Sequence, residues 1–355
     1  MAQQNLSFVL AERPTGGIIV GKTLARKTSP IPSASDLEDG QVLVEVLYLS
    51  LDPAMRGWMS ELPSYLPPVK IGETMRGQAA CRVVASKSAK INKGDFVSGP
   101  AGWTQYAVLD EKKLEPSASY PNLKYSVDML SALGHTSLAA WVGMTKIGLP
   151  KAGETVVVSG AAGATGSVAG QIAKIAGARV VGLCGSDYKC KWLVDELGFD
   201  VALNYKAADF RDRFKEATES YIDVYFDTVG GDILDLALCR AKKHARFVEC
   251  GQISQYAAST RKGPANIIAV VAMRIRMQGF IVFDHVQDFP RARNELARWL
   301  AEGKLKRTEH ILSGGLEVAE QGLIDLYKGV NLGKLIVEVK PKKRPLVKVT
   351  LSITY

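Results

Sequence analysis

Val156–Gln171, which reads VVVSGAAGATGSVAGQ, carries the clearest chemistry in this 355-residue chain. Three β-branched residues in a row suit a buried parallel strand. Glycines and alanines follow, and then a run able to begin a helix. Strand, tight turn and helix N-terminus together make an anion site: the first helical N–H groups lack partners and the helix dipole favours negative charge. A dinucleotide pyrophosphate fits that description. Gly160, Gly163 and Gly166 are spaced G-x-x-G-x-x-G rather than G-x-G-x-x-G, so a plain tight turn for helix–strand packing stands beside the nucleotide reading.

A dinucleotide fold chooses its cofactor at the tip of its second strand. An acidic residue there takes the ribose 2′-OH of NAD, and basic residues accept the 2′-phosphate of NADP. Here the tip reads Leu183-Cys184-Gly185-Ser186-Asp187-Tyr188-Lys189. Gly185 and Ser186 are small and neutral and leave room for a phosphate, and Lys189 follows one helical turn later. Asp187 either holds a ribose hydroxyl or caps a helix starting near Tyr188. The cap is the favoured reading, and NADP(H) with it. Lys189 has a second reading too, as a solvated helix lysine.

Elements must position these residues. Residues 1–125 hold short β-like pieces, Gln41–Leu49, Ala79–Ala85 and Thr104–Leu109 among them, separated by Gly/Pro turns. That pattern predicts an antiparallel barrel or sandwich. From about residue 126 strands alternate with helices. Strands are expected at Val156–Val158, Arg179–Leu183, Val224–Asp227, Arg246–Glu249 and Gln278–Val282. Helices are expected at Val168–Ala176, Lys189–Leu197, near Asp232–Lys242, and at Pro290–Glu302. Such alternation predicts an α/β, doubly wound parallel sheet. Gly333–Val339 is strand-like again and can return to the first domain.

Bulk properties set the class. Hydrophobic content of 47% and charged content of 23% are ordinary for a soluble globular protein. No N-terminal stretch resembles a signal peptide, and the longest apolar run, Ile267–Met273, is too short to span a bilayer. The five cysteines, Cys81, Cys184, Cys190, Cys239 and Cys250, form no C-x-x-C. A reducing, cytoplasmic compartment follows, without a disulfide framework. The net charge of +9 is partly confined to Lys340–Arg344. A solvated surface accounts for it better than a nucleic-acid partner does, and it also suits an anionic cofactor.

The order of β-rich domain, A-A-x-G-x-x-G-S-V-A-G-Q and returning C-terminus resembles the medium-chain dehydrogenase/reductase superfamily. Leu47–Arg56 (LYLSLDPAMR), Ile222–Gly231 (IDVYFDTVGG), Cys250–Tyr256 (CGQISQY), Gly279–Val282 (GFIV) and Asn331–Lys334 (NLGK) narrow it. Together they resemble the zinc-free branch of prostaglandin reductases and plant alkenal double-bond reductases. The resemblance implies a GroES-like substrate domain over residues 1–125 and 311–355, with a Rossmann NADP-binding domain over 126–310. It implies that Gly163, Ala164, Thr165, Gly166 and Ser167 line the pyrophosphate. Gly185, Ser186, Lys189, Tyr205 and Asn331 would surround the 2′-phosphate. Thr228, Cys250, Gly251, Gln252, Ile253, Ser254, Tyr256, Phe280, Ile281 and Val282 would follow the nicotinamide ribose and carboxamide. A homodimer through edge strands is a further implication.

Zinc-bearing relatives carry a Cys in the loop that here reads Ser50-Leu51-Asp52, and Gly-His-Glu where this chain reads Gly72-Glu73-Thr74. The ligands are missing, so no metal is expected. His244, His285 and His310 read as surface or packing residues. His135 is the exception to watch, because LGHTSLAAW departs from the family's Met-Pro-Gly-like turn. Without a zinc Lewis acid, the β-carbon of an alkene conjugated to a carbonyl becomes the more plausible hydride acceptor. The resulting enolate needs a hydrogen-bond donor, and a neutral tyrosine suits. Tyr256 and Tyr48 are the candidates; Tyr256 can instead bind the cofactor ribose, and Tyr48 can be a core aromatic. Arg56 would bind a carboxylate or close an ion pair between domains. Trp58 would wall an apolar cleft or pack a core. Asp52 more plausibly holds the turn before Pro53 than acts as a base. The expected activity is NADPH-dependent reduction of enals or enones, the small-molecule substrates. A zinc-free quinone oxidoreductase is the alternative, and a non-catalytic nucleotide- or RNA-binding protein the alternative of another class.

Overall fold

The apolar run at Thr155–Val158 becomes the central strand of a six-stranded parallel sheet. From one edge to the other the sheet contains Val201–Asn204, Arg179–Cys184, Thr155–Val158, Ile222–Asp227, Ala241–Glu249 and Arg276–Gly279. All five pairings are parallel. In chain order this is 3-2-1-4-5-6, the doubly wound arrangement whose order reverses between the first and fourth strands. The computed structural model describes residues 4–340 except residue 259. The basic tail beyond Lys340 lies outside the described residues.

The N-terminal half forms a second sheet, curled around its own core. Gln41–Ser50 runs antiparallel to Ala79–Ser86 and Tyr106–Asp110, and Phe96–Gly99 and Glu115–Pro116 extend it. Lys334–Glu338 returns from the C-terminal end to pair with Gln41–Ser50. The return expected of Gly333–Val339 therefore holds. The sheet is not wholly antiparallel, however: Glu309–Leu312 pairs parallel with the returning strand. Gln4–Leu10 and Leu24–Pro30 form a separate hairpin.

Several boundaries moved. The helix expected at Val168–Ala176 spans Ala164–Ile175, so Gly166 and Ser167 already lie inside it. Its small residues are required by close approach, since a Cβ on Gly170 would collide with the Phe199 ring. The helix expected to reach Lys242 ends at Leu238, and Ala241–Glu249 is strand instead. The last parallel strand stops at Gly279, with a 3-10 turn over Val282–Asp288.

Two junctions hold the halves together. Arg293, buried on the helix Phe289–Ala301, donates to Glu115 at 2.7 Å and lies over the Tyr120 ring. The second junction is a strap ahead of the returning strand. Gly333 donates its N–H to the Ala162 carbonyl at 2.9 Å, inside the glycine turn. Gly333 has φ +62°, and a Cβ there would strike the Thr308 carbonyl. Gly303 has a similar φ of +68° but open space around it. Gly333→Ala should therefore cost about 2–4 kcal/mol and Gly303→Ala about 1 kcal/mol, read from urea midpoints. Equal losses would show that the strap tolerates the collision.

Candidate active site

A cleft of about 770 Å³ opens between the two sheets at the carboxyl ends of the parallel strands. Gly160, Gly185, Tyr205, Thr228 and Cys250 each follow one of these strands and line it. Connectivity, not sequence proximity, gathers them, as expected at a reversal of strand order.

The glycine turn forms the floor. Gly160 adopts φ +56°, and a Cβ on Gly166 would strike the Gly160 carbonyl. Both positions accept only glycine, and the turn folds tightly against the helix it starts. Gly163 is the N-cap; Ala164, Thr165 and Gly166 form the first turn and line the cleft. Their N–H groups are the orphan donors of a twelve-residue helix, and they fit a pyrophosphate. Ser167 instead turns its hydroxyl to the Ala164 carbonyl at 3.3 Å.

One end of the cleft is cationic. Lys189, Lys206 and Arg211 line it, and among the described residues none of the three pairs with a carboxylate. Lys189 Nζ donates to the carbonyls of Gly329 at 2.5 Å and Asn331 at 2.7 Å. Burial, and then the nearby Lys206 charge, lower its pKa. Tyr205 packs its hydroxyl against Gly185, where a side chain would crowd it. Ser186, not Asp187, is the helix N-cap, and its hydroxyl accepts from Lys189 N–H at 3.4 Å. Asp187 is the first helical residue and accepts from Asn204 at 3.0 Å. It does not line the cleft, and the tip presents cations rather than a carboxylate.

At the other end, Cys250, Gly251, Ile253, Ser254 and Tyr256 line the cleft beside Thr228. Tyr256 Oη accepts the Gln252 N–H at 3.2 Å, and among the described residues no acceptor takes its own proton. Burial raises the Tyr256 pKa, so the phenol stays neutral. Gln252 does not line the cleft, and its backbone N–H is the group that reaches Tyr256. Phe280, Ile281 and Val282 follow the last strand without lining the cleft, and the Phe280 ring lies over Gly143.

The other substrate-side candidates are not brought to the cleft. Tyr48 is buried in the core that also holds Leu138 and Ile336, between Ala80 and Glu338 on neighbouring strands. Its strand is buried on both faces, so alternation could not indicate its direction. Arg56 donates to the carbonyls of Pro14 at 2.6 Å and Gly16 at 2.9 Å, and among the described residues it closes no ion pair; Arg293–Glu115 pairs the halves instead. Trp58 donates to Tyr65 Oη at 3.0 Å on the barrel side. His135 packs edge-on to Phe283 at 5.0 Å, and its neighbour Thr136 lines the cleft with a buried hydroxyl lacking a protein partner among the described residues. Burial lowers the His135 pKa and favours the neutral ring.

Sequence reasoning missed Lys334. This buried lysine sits at the start of an apolar strand, Lys334–Glu338, and such a placement demands a partner. It finds Asp52 at 2.6 Å and the Leu51 carbonyl at 2.8 Å. Asp52 also accepts from Ser50, and despite burial the Lys334 ammonium holds its pKa low. Among the described residues no three His, Cys, Asp or Glu side chains converge. The donor set does not fit a metal ion, since the one carboxylate of the Ser50-Leu51-Asp52 loop is already neutralised. Tyr327 was also missed; it donates to the Pro53 carbonyl at 2.5 Å, so its proton is committed.

Residues 7–117 match a family model described as the N-terminal domain of oxidoreductase, and residues 164–298 match one described as zinc-binding dehydrogenase. The NADPH-dependent curcumin reductase of Escherichia coli is 39% identical over 355 residues, covering 95% of this chain and 97% of the relative. Prostaglandin reductase 1 of Bos taurus is 39% identical over 316 residues, covering 88% and 92%. The crystal structure of CurA in complex with NADPH from Vibrio vulnificus superposes with a TM-score of 0.88 at 36% identity, covering 95% of this chain and 100% of that one. The chain belongs to the medium-chain dehydrogenase/reductase superfamily, in its zinc-independent prostaglandin reductase and alkenal reductase branch. No helix among the described residues is long and apolar enough to cross a membrane.

Beneath the Tyr256 end of the cleft, Asp227 and Glu249 are register partners on adjacent strands. Asp227 accepts from Ser159 Oγ at 2.6 Å and from the N–H groups of Val229 and Gly230. Both oxygens of Glu249 are buried without a protein partner among the described residues. Burial, and then the Asp227 charge, push Glu249 up to about 8. The folded state thus binds an extra proton between the ordinary glutamate range and about pH 8. This group's contribution is fully present below that range and is lost as pH rises through about 8. Urea midpoints should fall over this window, and Glu249→Gln should flatten the slope and exceed the parent at high pH. An unchanged slope would show that Glu249 ionises normally.

Proposed function

We propose that the chain is an NADPH-dependent reductase of the C=C bond of α,β-unsaturated aldehydes and ketones. The carrying observation is the neutral Tyr256 phenol in the cleft, its oxygen anchored by Gln252 N–H and its proton unclaimed. The relatives named for NADPH-dependent and prostaglandin reduction, and the NADPH complex of a similar chain, support the cofactor and the reaction class.

When bound, the reduced nicotinamide supplies a hydride for the substrate's β-carbon. The first helical turn, Ala164 to Gly166, holds the pyrophosphate on its N–H groups. Lys189, Lys206 and Arg211 hold the 2′-phosphate, with Tyr205 and the Asn331 strap closing the pocket. Tyr256 donates to the carbonyl oxygen as enolate charge develops. In a site shielded from water such a donor contributes about 3 kcal/mol. Burial keeps that proton on the phenol at neutral pH. Asp52 is neutralised by Lys334, so the barrel wall presents a closed ion pair to the developing charge. Tyr48, inside the core, takes no part in this reading.

NADPH with enals and enones should yield the saturated carbonyl compound; an allylic alcohol, or turnover of quinones alone, would overturn the assignment. Tyr256→Phe should lower kcat/KM on the order of 10²-fold with NADPH affinity intact. Weakened NADPH binding at unchanged kcat would instead assign the phenol to the ribose. Lys189→Ala should raise the KM for NADPH about tenfold and leave that for NADH unchanged, and steady-state kinetics with both cofactors would read it.

A further inference from the structure

Two thiols face each other at the cationic end of the cleft. Cys184 closes the strand Arg179–Cys184 and lines the cleft; Cys190 sits on the helix Asp187–Asp195. Their sulfurs are 3.3 Å apart. A disulfide bond is about 2.05 Å long, so closure needs the sulfurs to approach by roughly 1.3 Å. Cys184 is buried from bulk solvent but borders the cavity, and Cys190 is half-buried behind it. Lys189 lies between them in the chain, with its ammonium on the Gly329 and Asn331 carbonyls.

We propose that Cys184 and Cys190 form a reversible disulfide, reached by hydroperoxides through the cleft whenever no cofactor is bound, that distorts the pocket around Lys189. The Cys190 thiol beside it, opposed by burial and aided by a backbone hydrogen bond at Ser186 and by the Lys189 charge, lowers the pKa of Cys184 and makes it the nucleophile. Its thiolate attacks the peroxide oxygen and takes up OH as a sulfenic acid, while the peroxide leaves as an alcohol or, from hydrogen peroxide, as water after gaining a proton. The Cys190 sulfur then attacks the sulfenic sulfur, forming the S–S bond and releasing water. Two thiols lose two electrons and two protons, and one hydroperoxide becomes alcohol and water.

Closure draws the first turn of the helix toward the strand end. Ser186, the cap of that turn, and Lys189 move with it, so cofactor affinity falls. The affinity change rests on the 2′-phosphate placement proposed above; the thiol chemistry does not.

The test treats the full chain with hydrogen peroxide, with and without saturating NADPH, and digests it with trypsin under non-reducing conditions. Expected is a peptide pair, Val180–Lys189 joined to Cys190–Lys191, 2 Da lighter than the two thiol forms together and released by dithiothreitol. NADPH should slow its formation several-fold. NADPH binding by fluorescence titration should weaken about five- to tenfold in the oxidised protein and recover on reduction. Cys190→Ser should keep reductase turnover and lose both the linked pair and the affinity shift. No linked pair under peroxide that fully oxidises the exposed Cys239 would overturn the proposal, as would a pair forming at the same rate with NADPH bound. Lys189→Ala separates the two readings. If that variant binds NADPH normally, the phosphate placement fails, while the linked pair of the parent chain, and in the variant a 2 Da loss on the single peptide Val180–Lys191, still report on the thiols.

Discussion

Everything at the cleft depends on the join between the glycine turn and the strap that precedes the returning barrel strand. The Gly333 N–H bonds to Ala162, and the residue sits parallel to Gly163. This single backbone contact ties the helix N-terminus to the second domain. On one side of it, Asn331 and Gly329 offer carbonyls to Lys189. On the other, Lys334 reaches Asp52. Backbone pairing is short and directional, so it sets the cleft width more firmly than side-chain packing would. The left-handed φ at Gly333 is what lets the strap approach so closely.

The two ends of the cleft differ in how they handle charge. Lys189, Lys206 and Arg211, with no carboxylate partner among the described residues, surround the strand tips, and this imbalance is costly unless an anion fills it. Toward the Tyr256 end, the acidic groups are cancelled or withheld instead. Lys334 neutralises Asp52, Glu249 keeps its proton to about pH 8, and Tyr256 stays a phenol. A reaction that develops one negative charge there meets a neutral donor rather than a competing carboxylate.

Much of this was legible along the chain because strand and helix periods are local properties. The strand–turn–helix at Val156–Gln171, the parallel alternation and the returning C-terminal strand all appear as expected. The small residues at Gly185 and Ser186 lie at the cationic end of the cleft. Asp187 was misread as the cap because a one-residue shift separates cap from first turn, and both positions favour aspartate. For Tyr48 the core reading holds, and Arg56 takes neither of the roles weighed for it, for another reason. A strand buried on both faces carries no alternation signal, and a guanidinium can be satisfied by carbonyls that no motif announces.

The sequence by itself determined the fold class, the strand–turn–helix with its glycine turn and the neutral loop at the second strand tip, since each follows from steric and hydrogen-bonding rules acting over a few residues. Only the tertiary structure decided which side chains share the cleft. Lys206 and Arg211 reach it from a third strand and its following helix, Thr136 replaces His135, and Lys334 closes on a carboxylate 282 positions away. Those meetings depend on strand order and on the strap at Gly333, which bring distant segments together by backbone pairing rather than by spacing.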